Sequence, residues 1–253
     1  MQPHRTLLAL LIGAGAVLTG CQNMSTDGLV QSGLMAMKAA TLSDAEIRQV
    51  ADEACAKQDS EARIAPASSP YTKRLDKIAA ALGNPLTGTS VNYKVYVTED
   101  VNAFAMANGC VRVYSGLMDL MNDNEVEGVL GHEIGHVALG HIKKATQTAY
   151  AAAAARSAAA ASGNGAVSAL SQSQLGEIGE ALINAQFSQS QESAADDYSF
   201  DLLKKRNINL AGLASAFDKL AKLDGGADSS MFDSHPGSKQ RADHIRQRIA
   251  SGK

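Results

Sequence analysis

The sequence predicts an α+β fold that is mostly helical and carries one small antiparallel sheet. Two features of composition favour helices, because alanine is abundant and aromatic residues make up only 4% of the chain. The sheet is predicted by residues 91–98, where apolar and polar side chains alternate as in a half-buried strand. With 253 residues, 45% of them hydrophobic, the chain suffices for one substantial domain or two small ones. Its net charge of −3 gives no indication of nucleic-acid binding.

Residues 1–20 have the form of a secretion signal. His4 and Arg5 give a short basic start, and an apolar run from Leu7 to Leu18 follows. This run is too short to cross a bilayer as a helix, whereas it has the length of a signal-peptide core. We therefore exclude residues 1–20 from the folded domain.

The signal ends in Leu-Thr-Gly before Cys21, which resembles a bacterial lipobox. In such proteins the signal is cut before the cysteine, whose acylated thiol then holds the protein to a membrane. An ordinary secretory signal that ends in a cysteine is the alternative. The residue after Cys21 is Gln22 and not an aspartate. In lipoproteins of this kind, that difference implies that the protein is anchored in the outer membrane and faces the periplasm. Residues 21–40 are polar and are interpreted as a tether from the lipid anchor.

Capping signals predict two helices before the sheet. Ser43 and Glu46 form a capping box that opens a helix reaching to about Lys57. Pro70 lies near the start of a second helix, because proline is favoured in the first turn. Gly83 is expected to end that helix.

Three short strands are expected between residues 91 and 114. The alternating segment Val91–Thr98 is the first. Ala103–Ala107 and Val111–Tyr114 are a further pair, joined by a turn at Asn108-Gly109. Together they predict a small antiparallel sheet in the middle of a helical chain.

The remainder of the chain is predicted to be helical. Asn122 with Glu125 marks a helix start, and we expect this helix to continue past His141. An alanine-rich stretch over residues 145–161 favours another helix, and the Ser-Gly-Asn-Gly run after it breaks the pattern. A loop over residues 234–237 carries His235. The other expected helices cover about 170–186, 190–206, 210–223 and 238–250.

Two cysteines remain once Cys21 is assigned to the lipid anchor. A secreted protein folds in an oxidising compartment, so the even pair of Cys55 and Cys110 predicts a disulfide. The alternative is two separate buried thiols, because sequence does not give the distance that a bond requires.

The most specific feature is the segment His132-Glu133-Ile134-Gly135-His136. Residues four apart share one face of a helix, so both imidazoles can reach a single metal ion. Zinc favours nitrogen ligands and keeps a position open for water when three protein groups bind it. Glu133 lies beside the first ligand, where it can take a proton from that water and pass it to a leaving amine. The sequence therefore predicts one zinc ion per chain, with Glu133 as the base.

A third ligand is needed, and two residues compete for that role. His141 lies one position too early for the HExxHxxGxxH pattern, and Leu139 stands where that pattern requires glycine, so we interpret His141 as structural. Glu192 is the better choice, because a carboxylate from a second helix completes a His₂Glu site. Asp196 follows four residues later on the same face, where it can hydrogen-bond the free ring nitrogen of a ligating histidine.

The chain resembles the HtpX-like zinc metallopeptidases, whose signature joins HExxH to a downstream ExxxD helix. Its segments Asn102-Ala103-Phe104-Ala105, Tyr114-Ser115-Gly116-Leu117 and Ser234-His235-Pro236 also match that family, and the matches extend from about Leu75 to Ile249. The resemblance implies a zincin-like (gluzincin) catalytic domain over residues 41–253, with the sheet beside the HExxH helix. HtpX itself has membrane-spanning helices that this chain lacks, so only the catalytic domain is carried over.

The resemblance also implies roles for residues outside HExxH. His235 matches a histidine that stabilises the oxyanion of the tetrahedral intermediate, and Arg241 assists it or holds its loop. Asn102 and Ala103 match an edge strand that pairs with an extended substrate backbone. A plainer interpretation stands beside two of these roles: a surface loop histidine for His235, and ordinary sheet core for Asn102 and Ala103.

These observations predict a zinc-dependent endopeptidase that cleaves proteins or peptides of the periplasm or outer membrane, in protein quality control. The resemblance implies a larger periplasmic metalloprotease resembling BepA as a partner, beside protein substrates and the membrane at the lipid anchor. A second hypothesis is a metal-stabilised lipoprotein that helps outer-membrane proteins assemble without cutting them. A third is a structural lipoprotein with a chance HExxH, which the match at Glu192 and Asp196 disfavours.

Overall fold

A computed structural model describes residues 37–160, 171–223, 235 and 238–252. It confirms an α+β architecture that is mostly helical. The strands are β1 (Asn92–Tyr96), β2 (Ala103–Ala105) and β3 (Cys110–Tyr114). The helices are α1 (Asp44–Glu61), α2 (Pro70–Leu82), α3 (Ser115–Leu120), α4 (Asp123–Ala138), α5 (His141–Ala160), α6 (Gln172–Ile183), α7 (Gln189–Lys205), α8 (Ala211–Leu223) and α9 (Ser238–Ser251).

The predicted signal, Cys21 and most of the tether lie outside the described residues. Within the described part, none of the helices combines the length and hydrophobicity that a membrane span requires. The folded domain begins with α1, which opens at the predicted capping box: Ser43 accepts a hydrogen bond from the backbone of Glu46, whose side chain accepts one from the backbone of Ser43.

The sheet is mixed, so the prediction of an antiparallel sheet is right for only one of its two pairings. β2 and β3 form the expected antiparallel hairpin, whose turn places Gly109 at φ +82°. β1 pairs with the other edge of β3, in parallel, which gives the order β1-β3-β2. Alternation in a strand reports which face is buried, not the identity or direction of the neighbouring strand. The route through the hairpin supplies the long connection that a parallel pair requires.

Both faces of the sheet are covered, so the half-buried strand expected at residues 91–98 is also only partly right. Val95 packs into a core cluster built with α2, α4, α7, α8 and α9. Tyr96, predicted on the polar face, is buried in a second cluster with α1, α5 and α6. There its ring meets Phe104 and Tyr114 at centroid distances of 6.0 and 5.8 Å.

The predicted disulfide is confirmed, because Cys55 of α1 is bonded to Cys110 of β3. Their Cα atoms lie 6.5 Å apart, within the range that the bond requires. Beside it the buried guanidinium of Arg112 donates to both carboxylate oxygens of Asp59, at 2.7 and 2.9 Å. The bond and this ion pair join α1 to the central strand of the sheet.

Replacing both Cys55 and Cys110 with serine should lower the free energy of unfolding by about 3–5 kcal/mol, because the bond closes a 55-residue loop. Denaturant unfolding without reductant measures the difference. Reductant should lower the stability of the wild type towards that of the variant and leave the variant unchanged. Free thiols at both positions in a non-reducing digest of the wild type would contradict the prediction.

The HExxH helix does not continue past His141, which corrects the sequence prediction. α4 ends at Ala138, and a new helix begins at His141. Between them Gly140 has φ +76°, a left-handed conformation that glycine adopts without steric cost. The helix that carries both histidines of the motif is therefore interrupted at residues 139–140, shortly after His136.

Candidate metal centre

The site is built where α4 and α7 cross closely. A Cβ atom on Gly131 would lie 2.5 Å from Oγ of Ser199, and one on Gly135 would lie 3.0 Å from the carbonyl oxygen of Ala195. Glycine at these positions lets the two helix backbones approach. This approach brings Glu192, in the first turn of α7, to the imidazoles of α4.

Four buried side chains converge on one point: His132, His136, Glu192 and His235. Each offers one possible ligand atom, and these atoms lie within 4.8 Å of one another. Nε2 of His136 is 3.0 Å from Nε2 of His132 and 3.4 Å from Oε1 of Glu192. Nδ1 of His235 is 3.0 Å from the same carboxylate oxygen. The three ligands predicted from the sequence are therefore together, and His235 lies beside them.

His132 turns its second ring nitrogen away from the cluster. Its Nδ1 lies 2.8 Å from Oδ1 of Asp196, the contact that the ExxxD spacing predicts. Asp196 in turn accepts hydrogen bonds from Nε and Nη2 of Arg241, at 2.8 and 2.6 Å. The carboxylate therefore fixes the orientation of the ring and, through Arg241, joins α7 to α9.

Arg241 is buried and contacts four residues of the site, including His132, whose Nδ1 lies 3.0 Å from Nη2 of Arg241. Besides Asp196, its Nη1 lies 2.7 Å from Oε2 of Glu192 and donates to the backbone oxygen of His235 at 3.3 Å. Its guanidinium also stacks on Phe217, with Cζ 4.1 Å from the ring centroid. The contacts place Arg241 where it holds the backbone of His235, in keeping with one of the two roles that the sequence left open.

Glu133, the base predicted from the sequence, lies beside the cluster. It is buried, and Nε2 of His235 lies 3.6 Å from its Oε1. Burial raises the pKa of Glu133 to about 7, although His235 opposes this shift. A carboxylate with a pKa near neutrality can both take up and release a proton.

The donor set fits one zinc ion. Two imidazoles and one carboxylate are the ligands of many catalytic zinc sites. Burial lowers the pKa of His136 to about 4, so this ring is neutral and has a lone pair at neutral pH. Burial alone would raise the pKa of Glu192, but hydrogen bonds with His136 and His235 outweigh it and lower the pKa, which keeps the carboxylate ionised.

Buried oxygens without hydrogen-bond partners support this fit. Among the described residues, Oε1 of Glu133 and Oε2 of Glu192 lack a partner of suitable geometry, although Arg241 is close to the latter. An unpaired buried oxygen is costly unless another group, such as a metal ion or its water, satisfies it. Both atoms lie in residues of the site that the sequence assigns to zinc chemistry.

Comparison with known protein families supports the same interpretation. Residues 70–249 match the model of peptidase family M48. The chain belongs to this family. M48 peptidases use zinc, so the cluster is the metal centre of a metalloendopeptidase. The resemblance to HtpX-like peptidases, stated from the motifs, is thereby confirmed.

The chain is similar to two metalloproteases over nearly its full length and to a third protease over a shorter part. Metalloprotease LoiP of Escherichia coli (strain K12) is 60% identical over 244 residues, 96% of each protein. Metalloprotease YcaL of the same organism is 60% identical over 256 aligned positions, 100% of both. Protease HtpX of Thioalkalivibrio sulfidiphilus is 44% identical over 73 residues, 27% of this chain and 23% of HtpX.

The segment expected to bind substrate lies at the edge of the sheet in this M48 domain. β2 is one of the two edge strands of the sheet and contacts α4. Asn102 and Ala103 are both buried, and Oδ1 of Asn102 accepts a hydrogen bond from the backbone N–H of Ala103 at 2.8 Å. Nδ2 of Asn102 has no partner among the described residues. In this conformation the side chain of Asn102 is therefore hydrogen-bonded to the N–H of Ala103, a donor at the sheet edge that an added peptide strand would use.

Sequence reasoning missed two contacts of the metal centre. The ring of Phe187 lies against His136 at a centroid distance of 3.9 Å and is 5.7 Å from the ring of His235. Phe187 stands just before the N-cap of α7, and nothing in its sequence context indicates that the helix crossing carries it there. His141, assigned a structural role, has its Nδ1 only 3.1 Å from Nδ1 of His136. The break at Gly140, unforeseen in the sequence, makes that contact possible.

Proposed function

We propose that this M48 metalloendopeptidase cleaves proteins of the periplasm or outer membrane, in protein quality control. The main support is chemical: a buried carboxylate, Glu133, stands beside a His₂Glu cluster with no hydrogen-bond partner on Oε1 among the described residues. A purely structural zinc site does not require such a group. The proposed location rests on the predicted signal and on Cys21.

The reaction is divided between the metal and the side chains around it. His132, His136 and Glu192 would hold the zinc ion, which would supply Lewis acidity to strengthen water as a nucleophile and polarise the scissile carbonyl. Glu133 takes the proton of the attacking water. It then delivers that proton to the leaving amine, so that the carboxylate is regenerated at the end of the cycle.

His235 is proposed to donate to the oxyanion that develops on the substrate carbonyl. Its ring is buried beside Glu133 and the ligands, which is where that charge forms. Arg241 holds its loop by donating to the backbone oxygen of His235, while its pairing with Asp196 fixes the guanidinium. Asp196 orients His132 through Nδ1.

Substrate is proposed to pair with the outer edge of β2. Ala103 supplies backbone groups there, as in other proteins that add a peptide strand to a sheet. The backbone oxygen of Asn102 already accepts a hydrogen bond from Tyr114 of β3, so Asn102 contributes through its side chain. Pairing at Ala103 requires the side chain of Asn102 to release the N–H that it now occupies. The unpartnered Nδ2 of Asn102 is then available to a substrate carbonyl.

The anchor and partner are part of the same proposal. Acylated Cys21 would hold the domain at the outer membrane through the tether over residues 21–40, facing the periplasm. A larger periplasmic metalloprotease resembling BepA is the proposed partner, as the family resemblance implies.

The test is a comparison of membrane-fraction proteins by mass spectrometry in cells that produce the wild type or Glu133→Gln. We expect a defined set of periplasmic or outer-membrane proteins to accumulate with the variant, together with loss of their cleavage fragments. Glu127→Gln, on the same helix but outside the cluster, should behave as the wild type. Identical protein and fragment profiles in all three strains would contradict the proposal.

A further inference from the structure

Both ring nitrogens of His136 have defined surroundings. Nε2 faces the cluster, 3.0 Å from Nε2 of His132 and 3.4 Å from Glu192. Nδ1 faces the opposite way and lies 3.1 Å from Nδ1 of His141. A neutral imidazole that offers Nε2 to a metal carries its proton on Nδ1, so this N–H requires an acceptor.

The two motif histidines solve this requirement with different groups. For His132 the partner of Nδ1 is the carboxylate of Asp196, at 2.8 Å. For His136 the group at Nδ1 is another imidazole, His141, which can accept only if its own proton is on Nε2. His141 is not one of the four residues that converge on the metal position.

The helix break at Gly140 produces this arrangement. On a continuous helix, His141 would point about 140° away from His136 around the axis, because each residue turns the chain by about 100°. The left-handed conformation of Gly140 ends α4 instead and starts α5 at His141. The ring of Phe187 packs against His136 at 3.9 Å and lies 6.1 Å from that of His141, so it restrains the pair from one side.

We propose that His141 is a positioning residue for the metal centre: its Nδ1 accepts a hydrogen bond from Nδ1–H of His136. This bond fixes the tautomer and ring plane in which His136 offers Nε2 to zinc. Loss of such an outer partner typically weakens metal binding about 10–100-fold. The proposal concerns zinc binding alone, so it can fail or succeed independently of the proposed substrates and cellular role.

The experiment measures zinc affinity by competition with a chromogenic chelator, without peptide substrate. His141→Leu removes the acceptor while keeping an apolar side chain, and we expect zinc binding about 10–100-fold weaker. His141→Asn keeps an oxygen at the branch position that Nδ1 occupies, so its affinity should return to within about threefold of the wild type. Nitrogen-15 NMR of the zinc-loaded wild type should show the proton on Nδ1 of His136 and none on Nδ1 of His141.

His244→Leu is the matched control. His244 is a partly exposed histidine on α9 that contacts Asp197, outside the cluster, and its loss should leave zinc affinity unchanged. Wild-type affinity in His141→Leu would overturn the proposal, as would an Asn variant as weak as the Leu variant. If His141→Leu lost zinc as completely as His136→Ala, His141 would be a metal ligand and the proposal would be wrong. If the Leu variant does not fold, the affinity of the Asn variant and the NMR assignment decide.

Discussion

Replacing His136 or Glu192 with alanine should reduce zinc affinity by more than about 100-fold. Loss of an outer partner alone costs about 10–100-fold, and each of these residues is a ligand in a site with only three expected protein ligands. Nε2 of His136 and Oε1 of Glu192 lie 3.4 Å apart in the cluster. When one of these ligands is removed, a small movement of the other does not supply the missing bond to the metal. Metal analysis of the purified variants, with chelator competition for the residual affinity, measures the change.

Chelator competition also separates two roles for His235, which lies within the ligand cluster. As a donor to the oxyanion, His235→Ala should lower the cleavage rate and leave zinc affinity close to that of the wild type. If His235 is instead a fourth ligand, His235→Ala should lower zinc affinity as much as His136→Ala does. Full zinc retention in His136→Ala, or zinc loss in His141→Ala without loss in Glu192→Ala, would contradict the ligand assignment.

Local patterns were sufficient to predict the chemistry of the centre. The spacing of His132 and His136 depends only on the helix period, so it places both rings on one face before any tertiary contact is known. The pair Glu192 and Asp196 follows the same rule on a second helix. A zinc site with two histidines needs a third ligand, and a ligating histidine needs a partner that orients its ring. These two needs connect the two helices before any tertiary contact is known.

Features set by long-range packing could not be predicted in this way. The parallel pairing of β1 with β3 leaves no trace in the alternation of β1, and the burial of Tyr96 depends on helices α1, α5 and α6. Phe187 reaches His136 only because α7 crosses α4. A glycine at position 140 was visible in the sequence, but a continuous helix through it was also possible, since glycine costs a helix only about 1 kcal/mol.

The disulfide and Arg241 anchor different elements of the fold. The disulfide fixes β3, the neighbour of β2, to α1. Arg241 fixes α9 and the backbone of His235 to α7. The hairpin of β2 and β3 and the backbone of His235 are therefore held by separate elements, and Arg241 also contacts Glu192 and His132 of the metal centre.

Glu133→Gln should fold and bind zinc as the wild type does, yet cleave peptides at least about 10²–10⁴-fold more slowly. Glutamine has nearly the shape of glutamate but cannot accept the proton of the attacking water. In the wild type, burial raises the pKa of Glu133 to about 7, so the carboxylate is suited to take that proton and return it to the amine. Because Glu133 is not among the four converging side chains, its replacement leaves the ligand set intact.

The prediction is measured as kcat and KM on a fluorogenic peptide, with zinc content determined on the same preparation. The fall should appear in kcat, with KM little changed, because the lost interaction belongs to the transition state. Glu127→Gln tests for a general effect of removing a carboxylate from α4 and should keep wild-type kinetics. Cleavage by Glu133→Gln near the wild-type rate would show that Glu133 is not the base. If Glu133→Gln instead lost cleavage but restored every defect of a deletion strain, assembly of outer-membrane proteins without proteolysis would become the better description of the cellular role.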